Sequence, residues 1–366
     1  MDTFEKLTQY MDHFLEMGVP GYACVVWQDG KCVYRHENGY SDLEHRIPMN
    51  GKERVNLYSC SKPFTCTAAM QLWEQGAFSL EDELYRYLPE FREMTVRTAD
   101  GLRAAEKPIL IKHLFEMTAG LNYNVSSPSL MALRKDTDGL CPTREAMRYL
   151  AREPLDFEPG ASWQYSLCHD VLAALVEELS GMPFETYVKK NIFDRLGMSH
   201  STFRLPPEEL GTIACQYQFD EQSGKVVNVG PEIRNYKLGA LYASGGAGAI
   251  STADDYMLFL EAMRQGETLL RRSTIQRMAT DRLNETQTAA YNTHVFWLTH
   301  GYGLGMRCPK NGSPCTDFGW DGAAGSYMAI DPEYGLTFFY TQHMLDSPNH
   351  YIRPNLYRIL RGLPLV

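Results

Sequence analysis

Strand-like segments lie at both ends of this chain, and helical segments fill its middle. Near the N-terminus, two short strand-like runs are joined at Asp29-Gly30, a dipeptide that suits the positive φ angles of a tight hairpin turn. Between Lys62 and about Leu210, apolar residues recur at three- and four-residue spacing, which is typical of helices. Strand-like runs such as LTFFYTQH return towards the C-terminus.

This order of segments predicts an α+β fold in which an antiparallel β-sheet is interrupted by helices. The N-terminal segment MDTFEKLTQYMDHFLEMGVPG has an amphipathic pattern, and YIRPNLYRILRG lies at the other end of the chain. They would form N- and C-terminal helices that flank the sheet. We therefore expect a discontinuous α/β sheet domain formed by residues 1–62 and 212–366. A mainly α-helical domain would span residues 63–211, with the active site at the junction of the two domains.

The composition is that of an ordinary globular protein. The 366 residues are 44% apolar and 22% charged, which is enough to bury a large core. A net charge of −10 gives no electrostatic reason to bind nucleic acid or an anionic membrane surface. The nine cysteines lack any CxxC or metal-ligand spacing, so we expect mostly buried free thiols and no metal site.

The N-terminal segment does not have the pattern of a signal peptide, because charged residues separate its apolar positions. No stretch approaches the roughly 18 apolar residues that a membrane span needs. The sequence therefore favours a cytoplasmic location without a membrane partner. It leaves the oligomeric state open.

The segment LYSCSKPF places Ser59 three residues before Lys62. Residues three apart on a helix lie on one face, so the lysine can reach the serine hydroxyl if the segment is helical. Pro63 supports a helix start at or near Ser59, because proline is tolerated in the first helical turn. Two interpretations fit these residues equally well: a nucleophilic serine with a lysine base, or a helix-capping serine beside a solvated lysine.

Further motifs distinguish the two interpretations. Tyr165-Ser166 precedes a long amphipathic helix, and other segments occur in a fixed order around it: SLEDELYRYLPEF, IKHLFEMTAGL, NIFDRLGMSHSTF, ASGGAGAISTADDY and FGWDGAAGSYMAIDP. With this set, most of the chain resembles the serine β-lactamase and penicillin-binding-protein superfamily. The similarity is to the class C β-lactamase-like branch, which includes family VIII carboxylesterases, D-amino-acid peptidases and some acyltransferases.

The resemblance implies a set of catalytic groups. Ser59 would be the nucleophile, Lys62 its proton acceptor, and Tyr165 the partner that shares this proton and relays it to the leaving group. The backbone N–H groups of Ser59 and Ala323 would form the oxyanion hole. For this role the pKa of Lys62 must fall from about 10.4 to about 7, which requires burial. No metal or organic cofactor is implied.

Two positions depart from the family's pattern. The third motif is usually Lys-Thr-Gly, but this chain has Trp320-Asp321-Gly322, which resembles the esterase-like branch. Leu167 stands where the family's Tyr-x-Asn motif has asparagine. We expect Trp320, Gly322, Leu167 and Tyr123 to contact the substrate. The missing lysine and amide disfavour recognition of a β-lactam or a D-alanyl peptide.

Other polar residues and glycines near these motifs receive structural interpretations. His169 and Asp170 begin the helix after Tyr165, and we interpret them as a polar surface histidine and a helix cap. Gly245, Gly246 and Gly248 predict a tight passage of the backbone beneath the site, since no strand and downstream acid make them a dinucleotide loop.

These patterns favour a carboxylesterase that acts on small apolar esters or amides through a Ser59 acyl-enzyme, with water or another acceptor taking the acyl group. A β-lactamase or a D,D- or D-amino-peptidase is the main alternative. A non-catalytic binding or sensor module on the same fold is a further one. The expected partner is a small-molecule ester or amide.

Overall fold

A computed structural model describes residues 2–233, 236–295 and 298–366 of the protein. The helices are α1 (Thr3–Glu16), α2 (Lys62–Glu74), α3 (Ile111–Phe115), α4 (Pro128–Asp136), α5 (Thr143–Leu150), α6 (Cys168–Ser180), α7 (Phe184–Val188), α8 (Asp194–Leu196), α9 (Ala253–Gln265), α10 (Arg272–Met278), α11 (Glu285–His294) and α12 (Asn355–Leu360). The strands are β1 (Gly21–Gln28), β2 (Lys31–Asp42), β3 (Ile47–Pro48), β4 (Val55–Asn56), β5 (Thr95–Thr98), β6 (Gly101–Ala104), β7 (Tyr217–Asp220), β8 (Lys225–Asn228), β9 (Ile250–Ser251), β10 (His300–Tyr302), β11 (Arg307–Pro309), β12 (Phe318–Asp321), β13 (Tyr327–Asp331), β14 (Leu336–Thr341) and β15 (Met344–Leu345).

The main sheet is antiparallel and joins the two ends of the chain. In the described ranges it has eight strands, in the order β10-β11-β12-β13-β14-β1-β2-β3. The N-terminal strand β1 pairs with the C-terminal strand β14, with Ala23 opposite Thr341. The predicted α+β fold with an antiparallel sheet is therefore confirmed. The division into domains at residues 62 and 212 stays a prediction.

The first two strands form the tight hairpin that the sequence predicts. Asp29 and Gly30 connect β1 to β2, and their φ angles are 51° and 78°. Both values lie in the left-handed region that a two-residue hairpin turn of this type requires.

Helices cover both faces of the sheet. Neighbouring residues of a strand point to opposite faces. On β14, Phe339 packs on Tyr256 of α9 with ring centroids 4.5 Å apart, whereas Tyr340 packs on Phe14 of α1 at 6.0 Å. The C-terminal helix α12 packs beside α1. The sheet is thus flanked by the terminal helices on one face and by α9 on the other.

Helix α2 is buried around its whole circumference. All residues from position 62 to position 72 are buried, and the helix packs mainly against α6. A helix without a solvent-facing side is typical of the centre of a large protein. The side chain at its first position, Lys62, therefore lies inside the molecule.

A buried ion pair fixes the strands at the far end of the sheet. Arg307 Nη1 donates to Asp317 and lies 3.0 Å from His300 Nε2, and Arg307 Nη2 donates to Tyr327 Oη at 3.1 Å. Burial opposes ionisation of Asp317, but the charge of Arg307 holds its pKa well below the usual range. Arg307 is paired with Gly319 across β11 and β12, so the ion pair supports the strand that precedes the candidate site.

An Arg307→Leu substitution is expected to lower the free energy of unfolding by about 3–5 kcal/mol, because it leaves the Asp317 carboxylate buried without its cation. Urea unfolding at pH 8 measures this, since burial lowers the pKa of His300 and keeps it neutral there. The double variant Arg307→Leu/Asp317→Leu is the control and should recover much of the loss. A single variant as stable as the wild type would contradict the prediction.

Candidate active site

Ser59 lies on a short 3-10 turn that leads into α2. The turn spans Tyr58–Ser61, and the α-helix begins at Lys62 with Pro63 in its first turn. The predicted helix start at or near Ser59 is therefore confirmed. Tyr58 has a φ of 47°, which is unfavourable for a tyrosine. Backbone strain of this kind is concentrated at functional sites.

Two side chains donate hydrogen bonds to the Ser59 hydroxyl. Tyr165 Oη lies 2.6 Å from Ser59 Oγ, and Lys62 Nζ lies 3.1 Å from the same atom. Ser59 itself is only partly buried, so a substrate can approach its oxygen. The structure thus brings together the serine, lysine and tyrosine that the sequence singles out.

Lys62 is held in a polar pocket in the protein interior. Its Nζ donates to Gly246 O at 2.8 Å and to Tyr123 Oη at 3.4 Å, and it lies 4.5 Å from the centroid of the Tyr165 ring. Burial lowers the pKa of Lys62 to about 8, although the charge of Asp170 acts in the opposite direction. A lysine with this pKa is partly deprotonated near neutral pH and can accept a proton.

Tyr165 is packed among other rings. Trp320 stacks on it at 5.9 Å and Tyr123 at 5.5 Å, and His294 stacks on it at 5.2 Å. The Trp320 Nε1–H donates to Tyr165 Oη at 3.2 Å. Burial raises the pKa of Tyr165 well above its usual value, while its hydrogen bonds with Ser59 and Trp320 act in the opposite direction. Tyr165 is therefore a neutral phenol when the site is at rest.

The hydroxyls of Tyr165 and Tyr123 contact different catalytic residues, and this differs from the sequence expectation. The resemblance implies that Tyr165 shares the proton of Lys62. In the structure the Tyr165 hydroxyl reaches Ser59, while the Tyr123 hydroxyl reaches Lys62. Tyr123, predicted only as a substrate contact, thus also belongs to the polar network around the lysine.

The end of strand β12 lies against the turn that carries Ser59. A Cβ atom on Gly322 would come within 2.3 Å of Leu57 O, so only glycine fits there. Ala323 follows in a tight turn closed by Gly322 N–H donating to Ser326 O at 2.7 Å. Within the described parts of the chain, the Ala323 N–H makes no hydrogen bond, and Ala323 lines a groove of about 830 Å³. This donor is available to a bound group.

Leu167 and Trp320 are both buried side chains. The Leu167 side chain is 2% exposed and packs in the hydrophobic core at the start of α6. Trp320 is also almost fully buried, but its indole contacts the hydroxyl of Tyr165 directly. Contact of Leu167, Trp320, Gly322 and Tyr123 with a substrate stays a prediction.

The interpretation of His169 and Asp170 as a surface histidine and a helix cap is wrong. Both are fully buried where α6 packs against α2. His169 lies 3.7 Å from Cys66 Sγ, and burial lowers the pKa of His169 to about 3. Asp170 accepts hydrogen bonds from the hydroxyls of Tyr242 and Ser244, both at 2.6 Å.

The glycine-rich segment after Ser244 passes closely beneath the site, as predicted. A Cβ atom on Gly245 would lie 2.4 Å from His169 O, and one on Gly246 would lie 2.7 Å from Tyr123 Oη. Neither position has room for a side chain. The close approach allows Gly246 O to accept the hydrogen bond from Lys62.

Comparison with known proteins shows the family of this chain. The family model described as Beta-lactamase matches residues 6–358. The chain belongs to the beta-lactamase family. The predicted membership of the serine β-lactamase and penicillin-binding-protein-like superfamily is confirmed, which makes the chain a member of a superfamily of serine hydrolases.

One relative is an esterase by name, and two solved structures have a similar fold. Esterase EstB of Burkholderia gladioli is 33% identical over 269 residues, which cover 68% of this chain and 67% of EstB. The structure of EstCE1, described as a hydrolase with promiscuous acyltransferase activity, has a TM-score of 0.77 and 24% identity over 97% of both chains. Simvastatin synthase LovD from Aspergillus terreus has a TM-score of 0.79 and 24% identity over 98% of this chain and 97% of LovD. These two structures support the fold.

Among the described residues, no helix combines the length and the apolar character needed to cross a membrane.

Proposed function

We propose that the protein is a carboxylesterase-type serine hydrolase that acts on small, uncharged, fairly apolar esters or amides through a Ser59 acyl-enzyme. The observation that carries the proposal is the pair of hydrogen bonds to Ser59 Oγ, from Lys62 Nζ at 3.1 Å and Tyr165 Oη at 2.6 Å. A serine contacted by a buried amine and a phenol has both a proton acceptor and a proton donor within reach.

In the acylation step, neutral Lys62 accepts the proton of Ser59 as Oγ forms a bond to the substrate carbonyl carbon. The carbonyl oxygen becomes an oxyanion, which the N–H groups of Ser59 and Ala323 would stabilise. When the carbonyl re-forms, the bond to the leaving group breaks. The leaving oxygen or nitrogen takes a proton from Tyr165, which is replenished from Lys62.

Deacylation repeats these steps with water, or with an alcohol, as the attacking group. The acceptor gives its proton to the Lys62–Tyr165 pair, and Ser59 regains a proton as its bond to the acyl carbon breaks. The description of EstCE1 as a hydrolase with promiscuous acyltransferase activity makes acyl transfer a reasonable second outcome of the same acyl-enzyme.

The charges near the site favour neutral substrates over β-lactams, which carry a carboxylate. The position of the usual lysine holds Trp320, and its neighbour is the carboxylate of Asp321. The groove beside Ala323 is lined by further carboxylates, including Asp346. Arg353 lies 3.8 Å from Asp321 and offsets its charge, so the repulsion of an anion comes mainly from the carboxylates of the groove. An anionic substrate group would therefore meet like charges.

A substrate panel tests this proposal. We expect p-nitrophenyl butyrate to be hydrolysed at least about a hundredfold more efficiently, in kcat/KM, than nitrocefin or a D-alanyl-D-alanine peptide, by about 3 kcal/mol of transition-state discrimination. The hemiglutarate ester of p-nitrophenol, which adds a carboxylate to a similar acyl chain, is the matched control and should react more slowly than the butyrate. More efficient turnover of nitrocefin would favour a β-lactamase. Absence of both ester turnover and labelling by a fluorophosphonate would favour a binding or sensor module.

A further inference from the structure

Asp170 is a buried carboxylate whose two oxygens have different surroundings. Its Oδ1 accepts hydrogen bonds from Tyr242 Oη and Ser244 Oγ, both at 2.6 Å, and from the Gly246 N–H at 3.4 Å. Its Oδ2 has no hydrogen-bond partner among the described residues. Leaving an oxygen of a buried carboxylate without a donor costs stability, so this arrangement calls for an explanation.

The free oxygen points to the gap that separates Asp170 from Lys62. A Cβ atom placed on Gly246 would lie 2.7 Å from Asp170 Oδ2, 2.7 Å from Tyr123 Oη and 3.4 Å from Lys62 Nζ. The three polar atoms therefore surround one small space beside the Gly246 Cα. Asp170 Oδ2 and Lys62 Nζ therefore lie within about 6 Å of each other, a range in which a carboxylate favours the protonated form of an amine.

The same carboxylate holds the backbone that contacts Lys62. Ser244 Oγ, which donates to Asp170, also accepts from the Ala247 N–H at 3.0 Å, and Gly246 lies between them. The Gly246 carbonyl in turn accepts from Lys62 Nζ at 2.8 Å. Asp170 thus anchors the turn that supplies one of the hydrogen-bond acceptors of the lysine.

Lys62 has several titratable neighbours. They are the carboxylates of Asp170 and Asp321, the thiols of Cys60 and Cys66, the phenols of Tyr123 and Tyr165, and the imidazoles of His169 and His294. Burial raises the pKa of the thiols and phenols and lowers the pKa of the imidazoles, so these groups are uncharged at neutral pH. The charged neighbours are therefore the two carboxylates.

The two carboxylates differ in their partners. Asp321 lies 3.8 Å from Arg353 Nη2, which offsets its charge. The hydrogen-bond donors to Asp170 are two hydroxyls and a backbone amide, all neutral. Asp170 is thus the carboxylate whose charge acts on Lys62 with the least compensation.

We propose that Asp170 is a positioning residue of the active site, whose buried negative charge sets the protonation of Lys62 and whose hydrogen bonds hold the Gly246 carbonyl against it. This role rests on the proposed function, because it assigns a purpose to the proton acceptor of Ser59. It gives a reason for burying an aspartate without a direct ion pair.

The expected effect on pH dependence follows from the sign of the charge. A negative charge beside Lys62 favours the protonated amine and raises its pKa, opposing the effect of burial. Neutralising Asp170 removes this opposition, so Lys62 loses its proton at a lower pH. The acidic limb of the activity profile, which reports the unprotonated base, then moves to lower pH.

The test compares Asp170→Asn with a variant that disturbs the same turn but keeps the charge. The readouts are the second-order rate of Ser59 labelling by a fluorophosphonate, and kcat/KM for p-nitrophenyl butyrate, between pH 5 and pH 10. We expect Asp170→Asn to move the acidic limb down by about one pH unit and to lower the plateau several-fold. Tyr242→Phe, which removes one hydrogen bond to Asp170, should lower the plateau without moving the limb.

Asp255→Asn is the control for a buried aspartate elsewhere. Asp255 Oδ2 accepts from Ser201 Oγ and the His200 N–H, both at 2.8 Å, an arrangement similar to that at Asp170 but on α9. The acidic limb of the activity profile of Asp255→Asn should stay at the wild-type position. If Asp170→Asn does not fold, as judged by circular dichroism, Asp170→Ser removes the same charge in a smaller side chain and takes its place.

The outcomes separate the two proposals. A wild-type protein that the fluorophosphonate does not label would overturn the proposed function. Normal labelling of the wild type together with an unmoved limb in the folded Asp170 variant would overturn the role of Asp170 alone. An equal shift of the limb in Tyr242→Phe would assign the effect to movement of the turn and would likewise overturn the role of the charge.

Discussion

Replacing Ser59 with alanine is expected to lower kcat/KM for p-nitrophenyl butyrate by about 10⁴-fold or more, because it removes the atom that forms the acyl-enzyme. Lys62 and Tyr165 then have no nucleophile to activate. The measurement is steady-state turnover together with intact mass after incubation with a fluorophosphonate. The wild type should gain one adduct and Ser59→Ala none.

Ser61→Ala is the matched control for this substitution. Ser61 lies on the same 3-10 turn, but its Oγ accepts a hydrogen bond from the Ala249 N–H at 2.9 Å and makes no hydrogen bond to the side chain of Lys62 or Tyr165. Its loss should lower the free energy of unfolding by about 1 kcal/mol and leave labelling intact. Ester turnover that persists in Ser59→Ala would remove Ser59 from the mechanism.

Local patterns in the sequence predict the elements of this fold well. The Asp29-Gly30 turn needs positive φ angles, and Pro63 tolerates only the first turn of a helix, so both mark their structures from a few residues. Similar strand patterns at the two ends of the chain also indicated one sheet. The pairing of β1 with β14 joins the two ends of the chain, and no local pattern specifies which strands become neighbours.

The missed features depend on packing between segments that are far apart in sequence. His169 and Asp170 are polar residues at a helix start, a pattern that is usually exposed, yet the contact of α6 with α2 buries both. The polar contact of Tyr123 with Lys62 likewise spans 61 positions of the chain. The sequence feature that best indicates this buried network is Gly246. A side chain there would collide with Asp170 and Tyr123, so only glycine allows the backbone to pass so close to them.

Lys62 could act as a proton acceptor or only as a fixed positive charge, because either would contact Ser59 in a resting structure. Substitutions of Lys62 distinguish the two roles. Lys62→Met is expected to lower kcat/KM by about 10³-fold, the contribution typical of a positioned general base. Lys62→Arg should be about as inactive, because a guanidinium keeps its proton at every accessible pH.

The protonation of Lys62 also determines how kcat/KM of the wild type depends on pH. With the pKa of Lys62 lowered by burial to about 8, kcat/KM should fall tenfold for each unit of pH below that value, as Lys62 takes up a proton. Steady-state assays of the three proteins from pH 5 to pH 10, with circular dichroism to verify folding, provide the measurement. If Lys62→Arg kept more than about a tenth of wild-type activity, Lys62 would act through its charge, and the proton of Ser59 would have to leave through Tyr165.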